Sequence, residues 1–242
     1  MAKRKKKKSL KKKKVIFKSA MWMISVFIFS SGMTILFLNW FNPPVTSFIN
    51  EQSPSSFFCF KDFEGVKQKW VPLERVSENF LLAVIASEDQ RFFSHFGFDV
   101  REIKNAVEER IKKKRIRGAS TITQQTAKNL FLWGGKDFLR KGFEAYYTLM
   151  MEALMPKERI LEIYVNAAEL GERIYGVEAA SNYYFNKPAK NINASEAALL
   201  AAILPNPVKY NAKNPSEYLI KRKERILSQM KNLGSIKLLE NK

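Results

Sequence analysis

The side chains best suited to chemistry in this 242-residue chain lie between residues 88 and 166, and the first of them is Glu88. Leu81, Ile85, Glu88 and Phe92 recur at i, i+4, i+7 and i+11, so the spacing predicts a helix after Ser77 with a carboxylate on an otherwise apolar stripe. Such a carboxylate is desolvated, its pKa rises, and it becomes fit to exchange a proton near neutral pH. An ion pair with Arg91 or Lys104 at a helix end fits the same spacing equally well.

A second group lies in RGASTITQQTAKNLFL at 117–132. Ser120 or Thr121 can cap the helix that starts there, and Gln124 and Lys128, four apart, share a face with Thr121. Gln125 follows on the same turn. A helix N-terminus with its unpaired N–H groups favours an anion or a polar sugar, although a capped surface helix would look much the same. The third group is Arg140, Lys141 and Glu144, at i, i+1 and i+4. Alone, Arg140 and Glu144 make the kind of ion pair found on any exposed helix. Together with Lys128 and Lys136 they describe a pocket of several cations and two acids, which suits a sugar bearing a diphosphate.

The rest of the chain has to position these groups. Residues 1–18 carry eleven Lys or Arg and no acid, which is +11 of the +19 net charge. Ser19 to Phe41 then runs without a charge for 23 residues, with Trp22 and Trp40 near its ends. At about 1.5 Å per residue that length crosses a bilayer core of about 30 Å. The run exceeds the apolar core of a cleaved signal peptide, and no small-x-small site follows it. We therefore expect a disordered basic tail at 1–18, a transmembrane signal-anchor helix at 19–41 with its basic end in the cytoplasm, and a linker at 42–69. A domain at 70–234 and a tail at 235–242 follow outside the membrane. The Lys tract sets topology and touches anionic lipid rather than nucleic acid.

Composition narrows the chemistry further. One cysteine, Cys59, forbids an internal disulfide, and one histidine, His95, rules out a His-rich zinc site. Carboxylates, amides and cations must do the work.

The spacing predicts helices throughout the domain. Ile103, Val107 and Ile111 form a stripe beside a basic cluster that can meet anionic headgroups or simply be solvated. Helices are expected at 139–154, from Pro156 with Glu162 and Asn166 on one face, at 196–204 capped by Ser195, and at 215–233 ended by Gly234. Gly171 and Gly176 punctuate a loop. No strand alternation stands out, so the fold class is mostly α.

These residues also match a family. Glu88-Asp-Gln-Arg-Phe-Phe-Ser-His-Phe-Gly resembles the E-D-x-x-F-x-x-H-x-G motif of the peptidoglycan glycosyltransferases, glycosyltransferase family 51. GASTITQQTAKN at 118–129 is similar to their G-x-S-T-I-x-Q-Q-x-x-K-N, Arg140-Lys-Gly-Phe-Glu144 to R-K-x-x-E, and Arg159 to Asn166 to their helix ending in Asn. AELGERIYGVEAAS at 168–181 and LLAAILPNP at 199–207 resemble the stand-alone members.

The resemblance implies a lysozyme-like helical glycosyltransferase domain behind a single N-terminal transmembrane helix. It implies polymerisation of lipid II in the bacterial inner membrane, with inversion to β-1,4-linked strands and release of undecaprenyl diphosphate. The donor would be the undecaprenyl-diphosphate-linked glycan. Glu88 would be the general base, and Glu144 would assist diphosphate departure directly or through a divalent metal, magnesium. Lys128, Lys136, Arg140 and Lys141 would neutralise the diphosphate, and Ser120, Gln124, Gln125, Asn129 and Asn166 would position substrate. His95 would hold its loop. Other cell-wall synthesis proteins are possible partners, and no transpeptidase domain is expected at this length. A membrane-tethered glycan hydrolase would share the fold without needing four cations at the second acid. A scaffold would be expected to have lost one of the two glutamates.

Overall fold

The computed structural model describes residues 2–43, 66–113, 118–135 and 137–234. Residues 44–65 of the linker expected at 42–69, with Cys59, the end of the basic run at 114–117, Lys136 and the tail at 235–242 lie outside the described residues, and Lys67–Gln68 of that linker form a strand. The chain divides into two compact units, 1–42 and 43–242.

The first unit is one helix, α1 (Ala2–Phe37). Its stretch Lys12–Phe37 is long and apolar enough to cross a membrane, with an 18-residue window of mean hydropathy 1.8. Three polar side chains in it bond back to the helix: Ser30 and Ser31 donate to the carbonyls of Phe27 and Ile28, and Thr34 to that of Ser30. Each hydroxyl is thereby satisfied without water. Two expectations are corrected. The basic tail continues the helix instead of being disordered, because lysine is a good helix former and extending an existing helix needs no new nucleus. The helix also stops at Phe37, short of Phe41, in a turn at 38–40 that precedes Pro43.

In the second unit, α2 (Glu78–Glu88), α8 (Ala194–Ile203) and α9 (Glu217–Leu233) pack on one another, and α4 (Ile122–Phe131) packs on α5 (Phe138–Leu154) and α6 (Lys157–Ala167). α3 (Val100–Lys113) and α7 (Val177–Phe185) complete the described helices. α8 is apolar all round, with Ala197, Ala198, Leu200, Ala201, Ala202 and Ile203 buried, which is what a central helix requires. Its cap is Asn193, not Ser195: Asn193 accepts from the Glu196 N–H while Glu196 reaches back to the Asn193 N–H. On α9, Ser216 caps the start, Leu219, Ile226 and Met230 are buried, and Gly234 ends the helix at φ +69°.

Ser77 does not cap α2 through its side chain; its hydroxyl donates to Ile192. α2 ends at Glu88, so Phe92 belongs to a separate 3-10 turn at Phe92–Ser94. The stripe on α3 does not find a core: Ile103, Val107 and Ile111 are exposed. Its first turn is held by Asp99, which accepts from the N–H groups of Arg101 and Glu102 and pairs with Arg91 at 2.8 Å.

The helical reading also missed a small sheet. β1 (Lys67–Gln68) runs parallel to β3 (Ile174–Tyr175), which pairs antiparallel with β2 (Glu169–Gly171), in the order β1-β3-β2. Strands of two or three residues show no alternation. Gly176 closes the hairpin against α6 at φ +80°, and a Cβ there would lie 2.7 Å from the Asn166 carbonyl oxygen, so only glycine fits.

Candidate active site

Glu88 sits at the last turn of α2, where its side chain reaches away from the apolar α2–α8 contact toward α4. Gln125 Nε2 donates to Glu88 Oε2 at 2.9 Å, and Tyr164 donates to Gln125 Oε1 at 3.2 Å, which fixes the amide's orientation. Arg222 from α9 approaches the other oxygen at 3.5 Å. Burial pushes the Glu88 carboxyl up, against the Gln125 hydrogen bond and the Arg222 charge, and the neighbouring Asp89 adds to the rise. The two ion-pair partners that spacing allowed are not used, since Arg91 is committed to Asp99. Glu88 is thus a largely buried carboxylate with one neutral donor, one guanidinium at 3.5 Å and the charge of Lys128 nearby, too little to offset its burial, which leaves it a proton acceptor.

The next residue ties this end of α2 to α4. Asp89 accepts from the Ile122 N–H at 3.1 Å in the first turn of α4 and from His95 Nε2 at 2.9 Å. His95 and Asp89 are both buried, so the histidine holds the loop beside Glu88. Thr121 caps α4 and donates to the Gly97 carbonyl at 2.6 Å. Gly97 has φ +73°, and a Cβ there would meet the Thr148 methyl at 2.6 Å, so the loop lies on α5 only because it is glycine.

Glu144 lies one helix away on α5, almost fully buried. Arg140 Nη1 reaches Glu144 Oε2 at 2.9 Å, and Lys141 Nζ contacts Glu144 Oε1. Asp137 sets the start of this helix by accepting from the Arg140 N–H at 2.7 Å, and that bond holds its carboxyl below the usual range. Lys128 on α4 stands in the field of both glutamates and of Arg140 and Lys141. Burial lowers its pKa, and Glu144 pulls it back up. The buried Nε of Arg140 has no hydrogen-bond partner among the described residues.

Two cavities share Gln125 and Pro205 as lining residues. One, of about 390 Å³, is lined by Glu88, Ser120, Gln125 and Arg222. The other, of about 190 Å³, is lined by Gln125, Lys128, Asn129, Tyr164, Glu169 and Tyr175. The structure therefore brings Glu88, Ser120, Gln125, Lys128 and Asn129 to two neighbouring cavities, and places Arg140, Lys141 and Glu144 within the electrostatic reach of Lys128.

Two expected site residues have other partners. Gln124 is buried, and its Oε1 accepts from the Thr121 N–H at 3.0 Å to close a capping box. Asn166 is fully buried: Oδ1 accepts from Val71 N, and Nδ2 donates to the carbonyls of Val71 and Glu162. It pins the segment after β1 to α6 and has no donor to spare. Lys136 lies outside the described residues. Arg222, Tyr164, Glu169 and Tyr175 were not foreseen. Arg222 sits in the basic run KRKER, which reads as a solvated helix face, and only tertiary packing brings it to Glu88.

A divalent metal is not matched by these side chains. Magnesium asks for oxygen ligands in a near-octahedral shell, yet both oxygens of Glu144 are held by cations. No cluster of three or more His, Cys, Asp or Glu fit to hold a metal occurs among the described residues.

Comparison with known proteins identifies the family. The family model described as Transglycosylase matches residues 58–231. A protein named biosynthetic peptidoglycan transglycosylase from Pasteurella multocida is 50% identical over 191 residues, covering 79% of this chain and 78% of its own. Proteins of the same name from Bdellovibrio bacteriovorus and Cronobacter sakazakii are 45% identical over 212 residues and 51% over 192, covering 86% and 79% of this chain and 84% and 79% of theirs. A mostly helical unit fits the lysozyme-like fold of such enzymes. With residues 58–231 matched by the family model, and 45–51% identity to these relatives over 79–86% of its length, the chain belongs to the transglycosylase family.

Proposed function

We propose that the protein is a peptidoglycan glycosyltransferase that polymerises lipid II into β-1,4-linked glycan strands. The observation that carries this reading is Lys128, which lines a cavity with Gln125, the hydrogen-bond partner of Glu88, and feels the charges of Glu88, Glu144, Arg140 and Lys141. A base and a cationic cluster flanking one lysine suit a displacement at an anomeric carbon with a diphosphate leaving.

In that reaction the acceptor sugar's 4-hydroxyl oxygen attacks the donor's anomeric carbon from the face opposite the diphosphate. The new C–O bond forms as the bond to the diphosphate oxygen breaks, so configuration inverts. Glu88 takes the hydroxyl proton. Undecaprenyl diphosphate leaves with the electron pair, and Lys128, Arg140 and Lys141 stabilise its charge. Glu144 holds those cations in place, so that they meet the phosphate already oriented. Ser120 and Asn129 contact the substrate at the two cavity walls.

The lipid tail of the substrate explains the apolar helix α1. In the proposed arrangement it anchors the protein in the inner membrane, basic end in the cytoplasm, with the helical unit outside. Phe138, 97% exposed, and Leu139 precede Arg140 and Lys141 on α5, so lipid-facing apolar groups and phosphate-facing cations follow one another on one turn.

The test gives the purified full-length protein fluorescent lipid II with magnesium, beside Glu88→Gln, and resolves the products on a gel. A muramidase-sensitive ladder from the unmodified protein alone supports the reading. Shortening of preformed glycan without a ladder replaces it with hydrolysis.

A further inference from the structure

A third cleft, of about 630 Å³, shares no lining residue with the two cavities beside Glu88 and Lys128. Residues 66–69 form one side, Ala179, Asn182 and Tyr183 of α7 another, and Lys213 stands at its rim. Lys213 Nζ lies 3.9 Å and Lys67 Nζ 4.4 Å from the centre of the Tyr183 ring. The two ammonium groups are therefore no more than about 8 Å apart, close enough to feel each other through physiological salt. Neither pairs with a carboxylate among the described residues, and Glu178 on α7 is already taken by Lys69 at 3.2 Å and by the Ala189 N–H at 2.8 Å. Tyr183 thus holds two long cationic side chains in place, so less side-chain entropy is lost when an anion settles between them.

The same cleft runs along an open edge of the sheet. β1 is the end strand of the order β1-β3-β2. The Lys67 N–H donates to the Arg173 carbonyl at 2.9 Å, so it is turned toward β3, and the period of two turns the N–H and C=O of Gln68 to the open side. The Gln68 side chain points into the fold, where Nε2 donates to the Asn166 carbonyl at 3.1 Å, and Lys67 and Lys69 leave on the other face. Open backbone groups flanked by held cations are the complement of an extended peptide with acidic side chains. A lipid surface fits less well, because no exposed large apolar side chain lines this cleft, in contrast to α3 and to Phe138 on α5. A second copy of this chain, with a net charge of +19, is a poor source of acidic segments.

We propose that this cleft docks an extended acidic segment of another protein as a further strand beside β1, its backbone paired with Gln68 and one of its carboxylates between Lys67 and Lys213. The proposal does not depend on the reaction at Glu88. It places the partner on the sheet whose Glu169 and Tyr175 wall the Lys128 cavity, outside the cavity itself.

Fluorescence anisotropy tests it with the full-length protein in detergent and a labelled peptide of alternating Val and Glu. The comparison peptide has the same sequence with every backbone nitrogen methylated, which keeps the charges and removes the N–H donors. The unmethylated peptide is expected to bind, and Lys67→Gln/Lys213→Gln to weaken it about five- to tenfold while lipid II polymerisation keeps its rate. Methylation should weaken it at least as much. Equal binding to the double variant would put the peptide on other cations and overturn the proposal; equal binding of the methylated peptide would leave charge attraction without strand pairing and overturn it too. Hydrogen exchange reads the edge directly: the peptide should slow exchange of the Gln68 amide in the unmodified protein and not in the double variant. Protection at 120–128 instead would mean that the peptide sits in the active site. Protection of Gln68 without peptide, on transfer to vesicles of phosphatidylglycerol and phosphatidylethanolamine, would replace the protein partner with the membrane.

Discussion

Two glutamates one helix apart are treated in opposite ways by this fold. Glu88, at the α2 edge packed by α8 and α9, faces one amide at 2.9 Å and a guanidinium at 3.5 Å, and burial raises its pKa. Glu144, on α5, is clasped by Arg140 and Lys141. Glu88 is left short of compensation and so keeps an appetite for a proton. Glu144 is supplied with it and so orients cations. The difference comes from helix spacing: Glu144 has its cations three and four residues earlier on its own helix, whereas Glu88 closes its helix and must borrow partners from α4 and α9. A reaction that moves a proton at one end and releases an anion at the other needs this asymmetry.

The sharpest way to break the comparison is to remove the proton acceptor. Glu88→Gln is expected to lower polymerisation about 10²- to 10⁴-fold, the range a positioned general base supplies. It should also stabilise the fold at neutral pH. The folded-state pKa of Glu88 lies above its unfolded value, so the stability it contributes is complete below the unfolded pKa and is lost as pH rises through the folded one. Melting temperatures at pH 4 and pH 8 check this: the gain from Gln appears only at the higher pH. A variant that is slow but no more stable at pH 8 would mean that Glu88 is not strained by burial.

At the other end, Lys128→Ala is expected to cost about 10²-fold in kcat on lipid II, comparable to loss of one preorganised group at a developing charge. A soluble donor whose leaving group is fluoride in place of the diphosphate should lose far less; equal loss would refute the phosphate role. Burial lowers the Lys128 pKa, so the ammonium is lost, and the rate falls, at a pH below that of an ordinary lysine. Lys128→Arg keeps its charge and should carry the alkaline limb of the pH–rate profile upward.

Arg222 sharpens the comparison more gently. Its charge lowers the pKa that burial raises at Glu88, so Arg222→Gln should move the acid limb of kcat/KM to higher pH while changing the plateau rate by only about a few fold. An acid limb that stays in place would mean the guanidinium is screened from the carboxylate.

Arg222 also marks where the sequence stops being informative. Glu88, Gln125, Lys128, Arg140 and Glu144 were legible because each belongs to a local pattern on one helix. Arg222 is 134 residues from Glu88, and nothing in KRKER distinguishes the residue that turns inward from those left in water. Gln124 and Asn166 failed in the opposite sense. Their types suit a ligand, but a capping box and a backbone clamp use the same hydrogen-bonding groups, and spacing cannot tell which partner wins. The helices were readable from apolar period and caps. The sheet was not, because strands of two and three residues carry no period, and with them went Glu169 and Tyr175.

The smallest effect on activity is expected far from both glutamates. Asn193 caps α8, the helix on which α2 and α9 pack, and its side chain is exposed outside the two cavities. Asn193→Ala should cost about 1 kcal/mol of stability, a drop in melting temperature of about 2–4 °C, because the Glu196 N–H loses its partner and the capping box opens. α8 stays buried on every side, so Glu88 keeps its place and kcat at 25 °C should be unchanged. If the rate fell with the melting temperature, the position of Glu88 would depend on the last fraction of α8's stability. The raised pKa would then reflect a helix end held under tension, and not simply burial against Gln125 and Arg222. An unchanged acid limb in this variant would separate the two: the carboxylate's environment is set at its own helix end and not by the stability of the core beneath it.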